Sequence, residues 1–166
     1  MEFKEAQLKF IQAWGTLGSS WGINKTMGQI HALLLSSNEP LSTEDIMEIL
    51  EISRGNANMN LRALMDWGIV NKEYKIGERR DFFTSEKDVW ELAKQVSQER
   101  QKREIQPILK TLREIKDFEG EEKKDKEFKE VIENLEDFTL KASSMLNKFI
   151  NSDEHWFYKN LMKLVK

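Results

Sequence analysis

Cysteine is absent from this chain, proline occurs twice and histidine twice. Without cysteine there is no disulfide, no thiolate metal site and no cysteine nucleophile. His31 and His155 have no second histidine or cysteine at ligand spacing, so neither a metal nor another cofactor is expected. Two histidines do not assemble a convincing serine nucleophile, base and orienter. The glycines at 15, 18 and 22 lead into no phosphate-binding Lys-Ser/Thr loop. These absences argue against an enzyme. No apolar run approaches membrane-spanning length. The opening stretch MEFKEAQLKFIQAW alternates charged and apolar residues and lacks the apolar core of a signal peptide. The expectation is a cytoplasmic protein with no membrane partner.

What is present is charge, unevenly placed. The formal net charge is −3. Residues 53–80 nevertheless hold six bases (Arg54, Arg62, Lys72, Lys75, Arg79, Arg80) against three acids (Asp66, Glu73, Glu78). Residues 117–137 hold ten acids against four lysines. Local charge, rather than the total, is what meets a phosphate backbone. The acidic run reads as the exposed end of a helix, not as a catalytic pair.

Few prolines leave room for helix. Phe3, Leu8, Ile11 and Trp14 give one apolar face to a helix reaching about Leu17, and Gly18 to Gly22 is expected to break it. Lys25 to Ser36 resumes as a second helix, with His31 as a polar edge residue. After the loop ending at Pro40, Ser42 and Asp45 form a capping-box-like start to a short helix. Glu51-Ile52 is a tight turn, and Ser53 caps a helix that runs to Trp67 and stops at Gly68. Ile69 to Tyr74 and Arg80 to Thr84 read as a two-stranded ribbon turning at Gly77-Glu78. Ser85 is expected to cap a long helix from about Glu86, kinked or restarted at Pro107. The segment EGEEKKDKE, residues 119–127, is expected as a solvated connection. An amphipathic helix over Phe128 to Ile150 follows, and Asp153 caps a last one. The expected divisions are 1–18 as an N-terminal dimerisation helix, 19–84 as a DNA-binding unit, and 85–166 as spacer and dimerisation helices. The fold class is mainly α with a small β-hairpin wing, a winged helix-turn-helix plus a helical dimerisation region.

On a helical wheel, residues 53–67 place Ala57, Leu61 and Leu64 toward a core. The other side presents Gly55, Asn56, Met59, Arg62 and Asp66, with Asn58 beside it. Gly55 allows close backbone approach, and the Ser53-capped helix end favours a phosphate. Asn56 and Asn58 suit adenine edges or phosphate; Arg54 and Arg62 suit guanine or phosphate. Lys75, Arg79 and Arg80 make the ribbon basic. Alternation suggests that one of Arg79 and Arg80 faces DNA while the other packs or pairs with Asp81. The plain alternatives are a polar helix face and solvated hairpin charges. The capped helix, tight turn and basic ribbon together favour a double-stranded DNA partner.

The segment SRGNANMNLRALMDWGIV, followed by GERRDFF and DVW, resembles the GbsR-type branch of the MarR family of transcriptional regulators. Residues 14–35, WGTLGSSWGINKTMGQIHALLL, are similar to it too, and the likeness spans about residues 8–107. The resemblance implies a winged-helix homodimer, a repressor or activator, joined through its terminal helices. A repressor is the expectation. It also suggests a small-molecule effector, a quaternary ammonium held by tryptophans, with Trp14, Trp21, Trp67 and Trp90 as the cage. Core packing is the plain reading of those tryptophans. The rival function is a winged-helix docking module, contacting another protein through the acidic connection and the helix 128–150.

Overall fold

The computed structural model describes residues 1–118 and 123–164. They divide into two compact units, Met1–Leu92 and Ala93–Lys166. In the first, α1 (Phe3–Ser20) packs on α2 (Lys25–Ser36), and α3 (Thr43–Leu50) with α4 (Arg54–Asp66) forms the helix-turn-helix. The two-residue strand β1 (Leu41–Ser42) joins β2 (Val70–Glu73) and β3 (Phe82–Ser85) in an antiparallel sheet of order β1-β3-β2. Leu41 stands opposite Phe83, and Lys72 opposite Phe83 from the other side. This is a winged helix-turn-helix. Ile30, Leu33, Leu34, Ile46, Leu61 and Leu64 fill its core, contributed by α2, α3 and α4. At roughly 1.5–3 kcal/mol for each buried aliphatic side chain, those apolar stripes dominate what holds the unit together.

Local chemistry sets the ends of these helices. Asn24 accepts from the Thr26 and Met27 amides at the start of α2. Ser42 and Asp45 close the expected capping box. Glu51 ends α3 in the left-handed conformation, φ 54°. Ser53 Oγ accepts from the Asn56 amide, and Gly68, φ 72°, follows the end of α4.

Three expectations about the helices of this unit differ from the structure. Gly18 does not break α1: it is buried inside the helix, which continues to Ser20. Glycine serves packing there, since Gly15, Gly18 and Gly28 bring α1 and α2 close. Ser85 does not cap α5 (Val89–Arg100). Asp88 does, accepting from the Trp90 and Glu91 amides, while the Ser85 hydroxyl donates to the Ile69 and Glu86 carbonyls. His31 is not an edge residue: it is buried in α2, and Trp14 Nε1 donates to its Nδ1 at 3.2 Å. Lys87 adds a contact the sequence did not suggest. Its Nζ donates to the carbonyls of Leu34, Leu35 and Ser37, covering the acceptors at the end of α2.

In the second unit, a π-helical turn (Gln101–Ile105) leads into α6 (Gln106–Lys116), and both pack on α7 (Lys123–Ile150). The wide turn has a cause. Pro107 has no N–H and its ring would strike the carbonyl one turn back; a bond from the Gln106 amide to the Gln101 carbonyl widens the helix just before it. The polar stretch around residue 100 is less solvated than its composition suggested. Glu99 is buried and paired with Arg103, and buried Gln101 donates to Ser143 Oγ. Glu136 of α7 is held by Arg113 and Lys116 of α6. Of the expected connection 119–127, residues 119–122 lie outside the described residues and helix has begun by Lys123. The helix α8 (Glu154–Leu164) is capped by Asp153 and meets α7 through Phe149 and Phe157.

One face of α7 is apolar and largely exposed, with Ala142 and Phe149 half-buried. Phe128, Val131, Leu135, Phe138, Ala142, Met145 and Phe149 follow alternating steps of three and four residues. Of these, Phe138 is 70 % exposed and Met145 74 %. No helix among the described residues is long and apolar enough to cross a membrane.

Candidate nucleic-acid interface

The outer face of α4 is what its spacing predicts. Ala57, Leu61 and Leu64 are buried, while Gly55, Met59, Arg62 and Asp66 are exposed and Asn56 and Asn58 half-buried. A Cβ built on Gly55 would meet nothing within 4 Å, so this corner of the helix is open to an approaching backbone. Met59 is 57 % exposed, an apolar tip available to a thymine methyl.

The cations divide into those already held and those that are not. Arg54 lies 2.7 Å from Glu44 of α3, and that hydrogen bond is the main cause holding the Glu44 carboxyl below its ordinary pKa. Arg54 is thus tied across the helix-turn-helix. Lys72 pairs with Asp81 at 2.9 Å, and this bond raises the Lys72 pKa. Of the two expectations for the second tip arginine, packing or pairing with Asp81, the pairing is not seen: Lys72, diagonal to Asp81 across the ribbon, holds that carboxylate. Arg80 bonds to Glu78 and lies over the Phe82 ring; Lys75 Nζ sits 4.3 Å from the centre of the same ring. Asp45 is held below its usual pKa first by Ser42, with Arg80 and Lys75 adding to the effect. Both cations therefore stand on the side of the wing next to the start of α3. Arg79 is exposed, as is Arg62, and neither forms an ion pair among the described residues.

The return strand is shorter than expected, Phe82–Ser85 rather than 80–84, because Arg80 and Asp81 belong to the turn. The tip, Tyr74 to Asp81, projects Ile76 and Tyr74 into solvent. Gly77, φ 85°, supplies the left-handed conformation the turn needs.

The four tryptophans expected to form a cage lie on or at the ends of three helices, α1, α4 and α5. Trp14 is engaged with Phe10 and His31. Trp21 follows the end of α1 and is 55 % exposed. Trp67 ends α4, and Trp90 opens α5; both are half-buried.

Comparison with known proteins places this geometry. A family model described as "Bacterial regulatory protein, arsR family" matches residues 29–72, from within α2 to within β2. A solved structure titled "Crystal Structure of a transcriptional regulator" is similar with a TM-score of 0.69 and 16 % sequence identity, over 87 % of this chain and 95 % of that one. At that identity the likeness establishes the shared fold. No curated protein matches. The matching family model is of the arsR family rather than of the GbsR-type branch that the motifs resemble.

Proposed function

We propose that this chain is a sequence-specific, double-stranded DNA-binding transcriptional regulator that acts as a homodimer and represses by occupying its site. The observation that carries the reading is the open outer face of α4, with Arg62 on the helix and Arg79 on the wing beyond it, both exposed and without an ion pair among the described residues. Such a helix enters the major groove while the wing contacts the flanking backbone. Ser53, Arg54, Gly55, Asn56, Asn58, Met59 and Arg62, with Lys75, Arg79 and Arg80, form the proposed contact set. Within it, Arg79 is the primary wing anchor, because Arg80 and Lys75 are engaged at home.

The exposed stripe of α7 supports the dimer. A strict alternation of three and four is the seam of a two-stranded coiled coil, and a second copy of the same helix is self-complementary to it. Two-fold symmetry then offers two recognition helices to a palindromic site. The proposed divisions remain 1–18, 19–84 and 85–166. Effector control is proposed through Trp14, Trp21, Trp67 and Trp90. Saturable quenching of their fluorescence by choline supports it, and an unchanged spectrum removes it.

The deciding experiment is fluorescence anisotropy with the DNA upstream of the gene and with a scrambled duplex, at two salt concentrations. Preference for the upstream DNA with steep salt dependence supports the regulator. For Arg62→Ala with Arg79→Ala, affinity falls on all sequences, and the salt slope drops by about one for each phosphate no longer neutralised. An unchanged slope removes these two arginines from the interface. Weak, salt-insensitive association with both duplexes favours the docking module.

A further inference from the structure

Two of the asparagines on α4 are hydrogen-bonded to each other, and the bond fixes which atoms of Asn56 face outward. Asn60 is buried, 3 % exposed, among the core residues of the helix. One end of its side-chain amide lies 2.9 Å from the Asn56 backbone oxygen and 2.7 Å from the end of the Asn56 side chain. A backbone carbonyl only accepts, so the Asn60 atom facing it is the NH2 group. An NH2 group only donates, so the Asn56 atom facing that group is Oδ1. The orientation of both amides follows from the one backbone carbonyl, without any choice between nitrogen and oxygen.

The consequence is a change in what Asn56 can read. An asparagine pairs an adenine edge by accepting from N6 through Oδ1 and donating to N7 through Nδ2. Here Oδ1 is already turned inward to Asn60. Nδ2 is the outward end, and among the described residues it meets no acceptor. A group that only donates matches the neighbouring acceptors O6 and N7 of guanine. It opposes the amino groups of adenine and cytosine.

We propose that Asn60 is a positioning residue that turns Asn56 into a donor-only contact, selecting guanine over adenine at one base pair of the operator. The inference rests on the DNA-binding reading above and deepens it by naming the base. A phosphate oxygen also accepts from an NH2 group, and the test separates the two. Base discrimination changes at one position if guanine is the partner, whereas a phosphate partner gives a uniform loss.

The test begins by enriching a site from random duplexes with the full-length wild-type protein. Every single-base-pair variant of that site is then measured with wild type, Asn56→Ala, Asn56→Asp and Asn60→Leu. Wild type is expected to prefer guanine at one base pair by on the order of tenfold. Asn56→Ala abolishes that ratio and leaves the others. Asn60→Leu, which frees Oδ1, reduces the same ratio and admits adenine. Asn56→Asp keeps an acceptor for Asn60 but presents an oxygen outward, so the preference at that position turns toward cytosine. A loss of folding alone weakens all sequences together and does not move one ratio. Should Asn60→Leu not fold, the two variants at Asn56 decide. Uniform weakening by Asn56→Ala, or unchanged ratios in all variants, overturns the assignment while the DNA reading stands. Failure of wild type to enrich any sequence overturns both.

Discussion

The protonation of His31 is set by where it sits. Burial first, and the nearby Lys87 charge second, pull its pKa from the ordinary 6.5 down to about 4. Trp14 Nε1 donates to Nδ1, so the ring carries its proton on Nε2, and a second proton on Nδ1 would face the indole N–H directly. The folded-state pKa lies below the unfolded one, so on acidification the unfolded chain takes up the proton first. Stability is therefore lost as pH falls from about 6.5 to about 4, and no further below that. The full effect is on the order of 3 kcal/mol. Carboxylates held low by their partners, such as Asp45 and Glu99, also lose stability on acidification. The comparison is therefore with His31→Gln, measured by urea unfolding at pH 7 and pH 4.5. The variant should show the smaller acid loss; equal losses would remove His31 as a cause. The burial of this histidine was not legible in the sequence. A histidine in an apolar helix looks like an edge residue until the partner that satisfies it, on another helix, is known. Asp81 misled for a similar reason, since its choice of Lys72 over the tip arginines depends on strand register.

Among the elements, α4 was the most legible and the α1–α2 pair the least. Serine before the helix, glycine after it and the 57-61-64 stripe set its ends and its buried side locally. Glycine in α1 misled, because the same residue serves as a breaker when exposed and as a spacer when buried. The difference has a measurable cost. A Cβ on Gly28 would lie 3.1 Å from Gly15 Cα and 3.2 Å from the Trp14 carbonyl oxygen. Both neighbours are backbone and cannot rotate away, so the helices must part. Gly28→Ala should destabilise by about 1–3 kcal/mol despite the better helix propensity of alanine. Gly55→Ala is the matched control, also helical but open to solvent, and should be neutral or stabilising by up to about 1 kcal/mol. Thermal melts of the two variants give the comparison; similar shifts would mean that propensity, not packing, governs Gly28. The proposed contact residues on α4 were legible for the same local reasons as the helix itself. The division of the cations was not, because Arg54 and Lys72 find their partners, Glu44 and Asp81, across neighbouring elements rather than beside them in the chain.

At the scale of the whole molecule, absence of cysteine becomes a tool. A single cysteine introduced on the α7 seam can form a disulfide only with another copy. Glu127 flanks one end of the seam and Lys148 the other, and opposite signs at opposite ends favour an antiparallel pair. Phe138→Cys, near the middle, should then cross-link on mild oxidation, whereas Phe128→Cys should not. Cross-linking at both positions indicates a parallel pair, and at neither a different dimer surface. Within the first unit, the grip of Lys87 on the carbonyls at 34, 35 and 37 has its own consequence. It fastens the end of the sheet to the end of α2, so turn, reading helix and ribbon form one long loop closed at its neck. Lengthening such a loop adds little to the entropy of closing it, and the clasp works beside the apolar core that α2 shares with α3 and α4. Amides from α3 to β3 are then expected to exchange with solvent in one shared opening. Neutralising one lysine, as acetylation does, would loosen that whole reading surface at once.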